Sequence, residues 1–180
     1  EFILFAAAVG SAILLRAQRG EDAAGAAAER SDRRADVVAR PVRALGAALV
    51  APTIVLGAYI IAHGQLTPGG GFQGGVILAS AAVLVYASGQ YLAVRVVRGV
   101  APIEIADALG AAGFALIAVG GLVFGLAALH NFLGYGISGS LFSAGIIPLA
   151  NVAVGVEVAG GVTLIVAEFL DQALMRRRSG

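Results

Sequence analysis

The chain has 180 residues, of which 59% are apolar and only 13% are charged, and its formal net charge is +1. Because a soluble domain carries about 25% charged residues, this composition excludes an ordinary water-exposed surface and indicates a membrane protein. Cysteine is absent, which excludes disulfides, thiolate metal sites and cysteine nucleophiles, and basic residues in short clusters beside apolar segments argue against a nucleic-acid partner.

The hydropathy pattern predicts one short and four long membrane segments. Residues 1–15 hold the short apolar segment, and no positively charged stretch precedes it, so we interpret it as a transmembrane segment shortened at its start rather than as a signal peptide. Each long segment is near the ~20 residues needed to span a bilayer, and together they occupy residues 44–62, 76–94, 108–129 and 149–170. We therefore expect an all-α, polytopic transmembrane helical bundle, with four helices in a domain at 44–175 and one helix before it.

The arginines predict how the chain is oriented. Residues 16–43 form a polar linker that mixes seven Arg with five acidic residues, and further Arg occur at Arg95, Arg98 and in the tail at 176–180. Threading five spans alternately through a bilayer places all of these on one side, which the positive-inside rule identifies as cytoplasmic. We expect a multi-pass protein of the plasma membrane, with the linker and the C-terminus in the cytoplasm.

The string HGQLTPGGGFQGG predicts a break between the first and second long helices. A proline and a dense group of glycines disfavour helix here, in the segment Pro68, Gly69, Gly70, Gly71, Phe72, Gly74 and Gly75. The glycine spacing formally matches a dinucleotide fingerprint, but no strand precedes it and no acid follows about 20 residues later. A phosphate loop is excluded because no Lys followed by Ser or Thr closes the run. Non-helical backbone that is buried in protein or lines a watery cavity, and a tight turn between helices, both remain open.

Two segments of the chain resemble a known family. HGQLTPGGGFQGGVILA, and NFLGYGISGSLFSAGIIPLANVAVGVEVAGG further on, resemble the MnhB/MrpB family, the B subunits of Mrp-type multisubunit Na⁺/H⁺ antiporters, which are related to subunits of membrane-bound hydrogenases. The resemblance covers about residues 40–174. It departs at Gln65, where family members often carry His, so no proton-handling role is carried over to this position.

The resemblance implies a subunit of a complex that exchanges cytoplasmic Na⁺ for external H⁺. Its partners would be other hydrophobic antiporter subunits, together with membrane lipids, and no cofactor or catalytic residue is implied. Two alternatives stay open: a subunit in the antiporter-like module of a hydrogenase or related respiratory complex, and a purely structural subunit without an ion path.

The acidic residues of the last span are the candidates for ion translocation. Glu157 lies eight residues after Leu149, about 12 Å along the helix and near the bilayer centre. A charged group there is costly and marks a functional site by default, although a hydrogen bond to a partner helix would also explain it. Helical spacing puts Glu168 and Asp171 on the same side of the helix, where surface pairing near the basic tail is the alternative.

Other residues have simpler explanations. His63 and His130 lie at the outer ends of helices, where they could sense pH or anchor the interface, and they do not suggest a metal site. Glu104 and Asp107 follow Pro102 and suit a helix start. Asn131 and Asn151 could cap helices or bond across them. Small residues predict close helix packing at Gly121, Gly125, Gly160 and Gly161. No arrangement of nucleophile, base and acid is present in the sequence, so we expect no enzyme activity.

Overall fold

The computed structural model describes residues 39–88 and 101–176. Within these residues the chain forms four α-helices and no β-strand, which confirms the all-α fold class. The helices are α1 (Arg40–Ala62), α2 (Gly71–Ala87), α3 (Ala101–Val123) and α4 (Ile147–Arg176). The short N-terminal segment, most of the linker, the predicted end of the second span and the last four residues of the tail lie outside the described residues.

Three of these helices are long and apolar enough to cross a membrane. They are Arg40–Ala62, Pro102–Val123 and Ile147–Ala167, whereas the apolar helix Gly71–Tyr86 is shorter. This agrees with a membrane helical bundle, because about 20 helical residues cross the ~30 Å hydrocarbon layer. Large apolar side chains stay exposed along α1 and α3, where lipid or another subunit would cover them: Leu45, Leu49, Val55, Leu109, Leu116 and Leu122.

The start of α1 and the end of α3 differ from the predicted boundaries. α1 begins at Arg40 instead of Ala44, with Pro41 in its first turn, where a fixed φ and a missing N–H suit a helix start. α3 begins at Ala101, seven residues before the predicted start, and ends at Val123, six residues before the predicted end, so the span at 108–129 is corrected.

Gly125 explains why α3 stops. Its φ is +71°, a left-handed conformation that favours glycine. The N–H of Gly125 donates to the carbonyl of Leu122 at 2.9 Å, and the N–H of Leu126 donates to that of Gly121, also at 2.9 Å. These two bonds form a Schellman cap, which satisfies carbonyls at the helix end. The prediction that Gly121 and Gly125 form a helix-packing motif is therefore wrong for Gly125, which lies beyond the helix.

α4 is the helix that contacts each of the other described helices. It packs closely against α2 and α3 and reaches α1 at Gly155, where an added Cβ would lie 2.8 Å from Cγ1 of Ile61. α1 and α2 pack against each other, and an added Cβ at Gly57 would lie 2.8 Å from Cγ of Leu78. Glycines thus let the helix backbones approach closely, as in other membrane bundles.

Candidate functional site

The turn between α1 and α2 is ordered by hydrogen bonds around His63. The carbonyl of His63 accepts from the N–H of Leu66 at 2.8 Å and from that of Thr67 at 3.0 Å. The His63 ring stacks on Tyr59 with ring centroids 4.0 Å apart, and its Nδ1 lies 3.1 Å from the Tyr59 carbonyl oxygen. These contacts give His63 a local structural role, while pH sensing by His63 stays a prediction.

The glycine segment is only partly a loop, which corrects the predicted break. Gly69 and Gly70 have positive φ and belong to the turn, but α2 already begins at Gly71, so Gly71, Phe72, Gly74 and Gly75 are helical. The N–H of Gly74 donates to the carbonyl of Gly70 at 3.0 Å and starts the helix.

The helical glycines of this segment form packing surfaces. An added Cβ at Gly74 would lie 2.7 Å from the Gly57 carbonyl oxygen of α1, and one at Gly75 would lie 2.8 Å from Cβ of Val158 in α4. Because a side chain would push these helices apart, packing outweighs the low helix propensity of glycine.

Polar side chains join the two loops at this end of the bundle. Nε2 of Gln65 donates to the carbonyl of Leu141 at 2.7 Å, which links the α1–α2 turn to the α3–α4 loop. Within that loop, Oδ1 of Asn131 accepts from the N–H of Leu133 at 3.2 Å and from that of Ile146 at 3.1 Å. Oε1 of Gln65 and Nδ2 of Asn151 are buried without a hydrogen-bond partner among the described residues.

Glu157 lies at the interface between α3 and α4. An added Cβ at Gly110 of α3 would be 2.6 Å from Cβ of Glu157 and 2.7 Å from the carbonyl oxygen of Ala153. Glu157 is half-buried, but its Oε2 is buried and has no hydrogen-bond partner in the described part of the chain. An unsatisfied carboxyl oxygen in a membrane span is costly, which makes this interface the candidate functional site.

Asp107 is a second carboxyl at the same interface, and the sequence interpretation missed its position. It is half-buried on α3, and an added Cβ at Gly160 of α4 would lie 3.1 Å from Cβ of Asp107. Asp107 and Glu157 therefore lie at one interface, each against a glycine of the other helix. A signal was present in the sequence, since both spans contain an acid followed three residues later by glycine, as DALG and EVAG.

The structure places the remaining predicted residues as follows. Gly121 and Gly161 are buried, and His130 is exposed, with its N–H donating to the Ala127 carbonyl at 3.0 Å. Glu168 and Asp171 lie on α4, but their side chains are outside the described residues. Among the residues described, no group of three or more His, Cys, Asp or Glu could hold a metal ion.

Residues 41–164 match a family model described as a domain related to the MnhB subunit of the Na⁺/H⁺ antiporter. The chain belongs to this family. The match confirms the resemblance inferred from the sequence, and it includes Asp107 and Glu157 but ends before Glu168 and Asp171. The family is that of a transporter subunit and not of a known enzyme.

A curated relative of this MnhB-related chain has also been found. The chain is 38% identical over 117 residues to the uncharacterized protein MJ1307 of Methanocaldococcus jannaschii. The match covers 61% of this chain and 44% of that relative, so the chain spans less than half the length of the curated protein it matches.

Proposed function

We propose that this chain is a membrane subunit of a multisubunit antiporter that exchanges Na⁺, or another monovalent cation, for H⁺. It contributes to assembly of the complex through the exposed apolar faces of α1 and α3, and Glu157 belongs to the route along which ions cross. Family membership supports the antiporter class. The place of Glu157 in the route is supported by one observation. Its carboxyl group lies within the span Ile147–Ala167, and its Oε2 is buried and lacks a hydrogen-bond partner in the described residues.

The carboxyl group of Glu157 has an energetic cost within a membrane helix. Placing an ionised acid at the centre of a membrane helix costs about 2.5 to 3.5 kcal/mol on insertion scales. A carboxyl group that serves packing alone could be replaced by an apolar residue without that cost. A carboxyl group that takes up and releases a proton, or a cation, could not be replaced in this way without loss of that function.

We also propose partners for the chain and an orientation in the membrane. The exposed apolar faces of α1 and α3 fit lipid and other hydrophobic subunits of an Mrp-type complex. The complex lies in the plasma membrane, with the Arg-rich linker and the C-terminus on the cytoplasmic side, because a charge-free loop end and a basic end follow the positive-inside pattern. Glu168 and Asp171, nearer the basic tail, extend the route toward the cytoplasm.

The test is Na⁺-induced proton movement in everted vesicles that carry the whole complex. Wild type is compared with Glu157→Gln, which keeps the side-chain volume and removes the ionisable group. Glu104→Gln is the matched control, since Glu104 is exposed near the start of α3. Recovery of the complex through a tag on another subunit checks assembly.

The proposal predicts exchange in wild type and in Glu104→Gln, and its loss in an assembled Glu157→Gln complex. Full exchange by Glu157→Gln would leave the antiporter assignment in place and remove Glu157 from the route. Absence of Na⁺-induced proton movement in wild-type vesicles would overturn the antiporter assignment.

A further inference from the structure

Asp107 and Glu157 are placed reciprocally across the interface of α3 and α4. Each acid packs against the glycine that follows the other acid by three residues: Glu157 lies against Gly110, and Asp107 lies against Gly160. Because residues three apart lie on the same side of a helix, each helix presents one acid and one glycine to the other. The missing side chains at both glycines bring the two carboxyl-bearing segments close together.

This reciprocal arrangement brings two like charges together in a medium of low dielectric. Two neighbouring carboxyl groups in such a place do not both ionise readily, and one proton shared between them relieves the repulsion.

The other ionisable side chains of the described helices lie elsewhere along them. α3 also carries Glu104, three residues before Asp107 and exposed. α2 carries Tyr86 near its C-terminal end. α1 carries basic groups in its first turn and an aromatic pair at its other end, namely Arg40, Arg43, Tyr59 and His63. On α4 itself the acids and Arg176 near the C-terminal end have side chains outside the described residues.

We propose that Asp107 and Glu157 act as one unit that holds a single proton between them and passes it along the interface of α3 and α4. Once a side-chain rotation brings an oxygen of each carboxyl group within hydrogen-bonding distance, an O–H bond breaks on one carboxyl group and forms on the other, so the unit keeps the same charge until a proton enters or leaves it. Glu157, Glu168 and Asp171 were assigned to the route above, and Asp107 is the added residue. This inference rests on the proposed function, because the proton it carries is the one that the antiporter exchanges.

The test compares Asp107→Asn with Asp107→Glu in vesicles that carry the whole complex. Asn has nearly the volume and shape of Asp but cannot carry the proton, whereas Glu keeps the carboxyl group and adds a methylene. If Asp107 served packing against Gly160, Asn would act like wild type and Glu would be the impaired variant. If Asp107 carries the proton, Asp107→Asn should be the impaired variant and Asp107→Glu should exchange nearly as wild type does. Glu104→Gln is again the matched control on α3.

We expect Asp107→Asn to slow exchange by about a hundredfold or more, the lower end of what a positioned acid or base contributes. Asp107→Glu should keep most of the exchange, and the double variant Asp107→Asn with Glu157→Gln should lose little more than Glu157→Gln alone, because the residues act as one unit. All variants are compared at equal recovery of the assembled complex.

Two results would overturn the pair while leaving the proposed function intact. One is an Asp107→Asn complex that exchanges at the wild-type rate when Glu157→Gln does not. The other is an Asp107→Glu complex that is as inactive as Asp107→Asn. Absence of exchange in wild type would instead overturn the antiporter assignment, and this inference with it.

Discussion

The N–H of Gly71 donates a hydrogen bond of 3.2 Å to Oδ1 of Asn151, so a side chain of α4 satisfies the first turn of α2. The N–H groups of a first helical turn have no partner within their own helix, and burial without a partner is costly. Gly71 also has no side chain that would push α4 away. An added Cβ at Gly71 would be 2.8 Å from Cβ of Val154, which lies on α4 as Asn151 does.

Replacing Asn151 should therefore destabilise the bundle. In Asn151→Ala the N–H of Gly71 loses its acceptor, and loss of a capping oxygen costs about 0.5–2 kcal/mol. The thermal unfolding midpoint of the purified protein in detergent should fall. Thr53→Val is the control, because the Thr53 hydroxyl donates to Leu49 within α1 and joins no second helix. Equal midpoints for the two variants would contradict the role given to Asn151.

Gly110 should not tolerate a methyl group, whereas Gly113 should. In Gly110→Ala the new Cβ would lie 2.6 Å from Cβ of Glu157, which forces α3 and α4 apart, at an overpacking cost of about 1–3 kcal/mol. In Gly113→Ala it would meet Cβ of Ala153 at 3.6 Å, an ordinary contact. Thermal unfolding in detergent measures both variants. If Gly110→Ala unfolds at the same temperature as Gly113→Ala, the close approach of the two helices is wrong.

The Schellman cap of α3 should make Gly125→Ala destabilising through backbone conformation alone. Gly125 has a φ of +71°, and no atom lies within 4 Å of an added Cβ, so the new methyl group of Gly125→Ala meets no clash. The free-energy cost of about 1–2 kcal/mol comes from the left-handed conformation, which alanine disfavours. Gly134 is equally open but lacks a positive φ, and Gly134→Ala should be nearly neutral. Unfolding midpoints of the two variants should differ, and identical values would show that α3 ends in another way.

The hydrogen bond from Gln65 to the carbonyl of Leu141 should hold the α3–α4 loop to the α1–α2 turn. A net hydrogen bond is worth about 0.5–1.5 kcal/mol, so Gln65→Met should raise local opening of the loop roughly two- to tenfold. Amide hydrogen exchange of residues 124–146 measures this opening. Thr67→Val is the control, since the Thr67 hydroxyl bonds within its own turn. Unchanged exchange in Gln65→Met would show that the loop is held by other contacts.

Composition and hydropathy were sufficient to predict a helical membrane protein with four helices in the region described. Local chemistry also indicated a helix start near Pro102, because proline and acids favour the first turn. The start of α2 could not be predicted in this way. Glycine disfavours helix by about 1 kcal/mol, and only contacts with α1 and α4 explain why Gly71, Gly74 and Gly75 are helical.

The sequence predicted one of the two acids of the candidate site, Glu157, but not the other, Asp107. The depth of Glu157 in an apolar segment marked it as unusual, since depth is a property of one helix. Asp107 was explained as part of a helix start. Its place beside Glu157 depends on the register between α3 and α4. That register is set by Gly110 and Gly160, and matching the two sequences DALG and EVAG in antiparallel helices would have been needed to foresee it.

The central position of α4 has a consequence for biogenesis. Of the four described helices, α4 leaves the ribosome last, yet it is the one that α1, α2 and α3 all contact. During synthesis α1 and α2 can pair early, whereas α3 must wait in the lipid with Asp107 still uncovered until its packing partner has been inserted. A nascent chain that stalls between α3 and α4 therefore lacks the helix against which Asp107 packs.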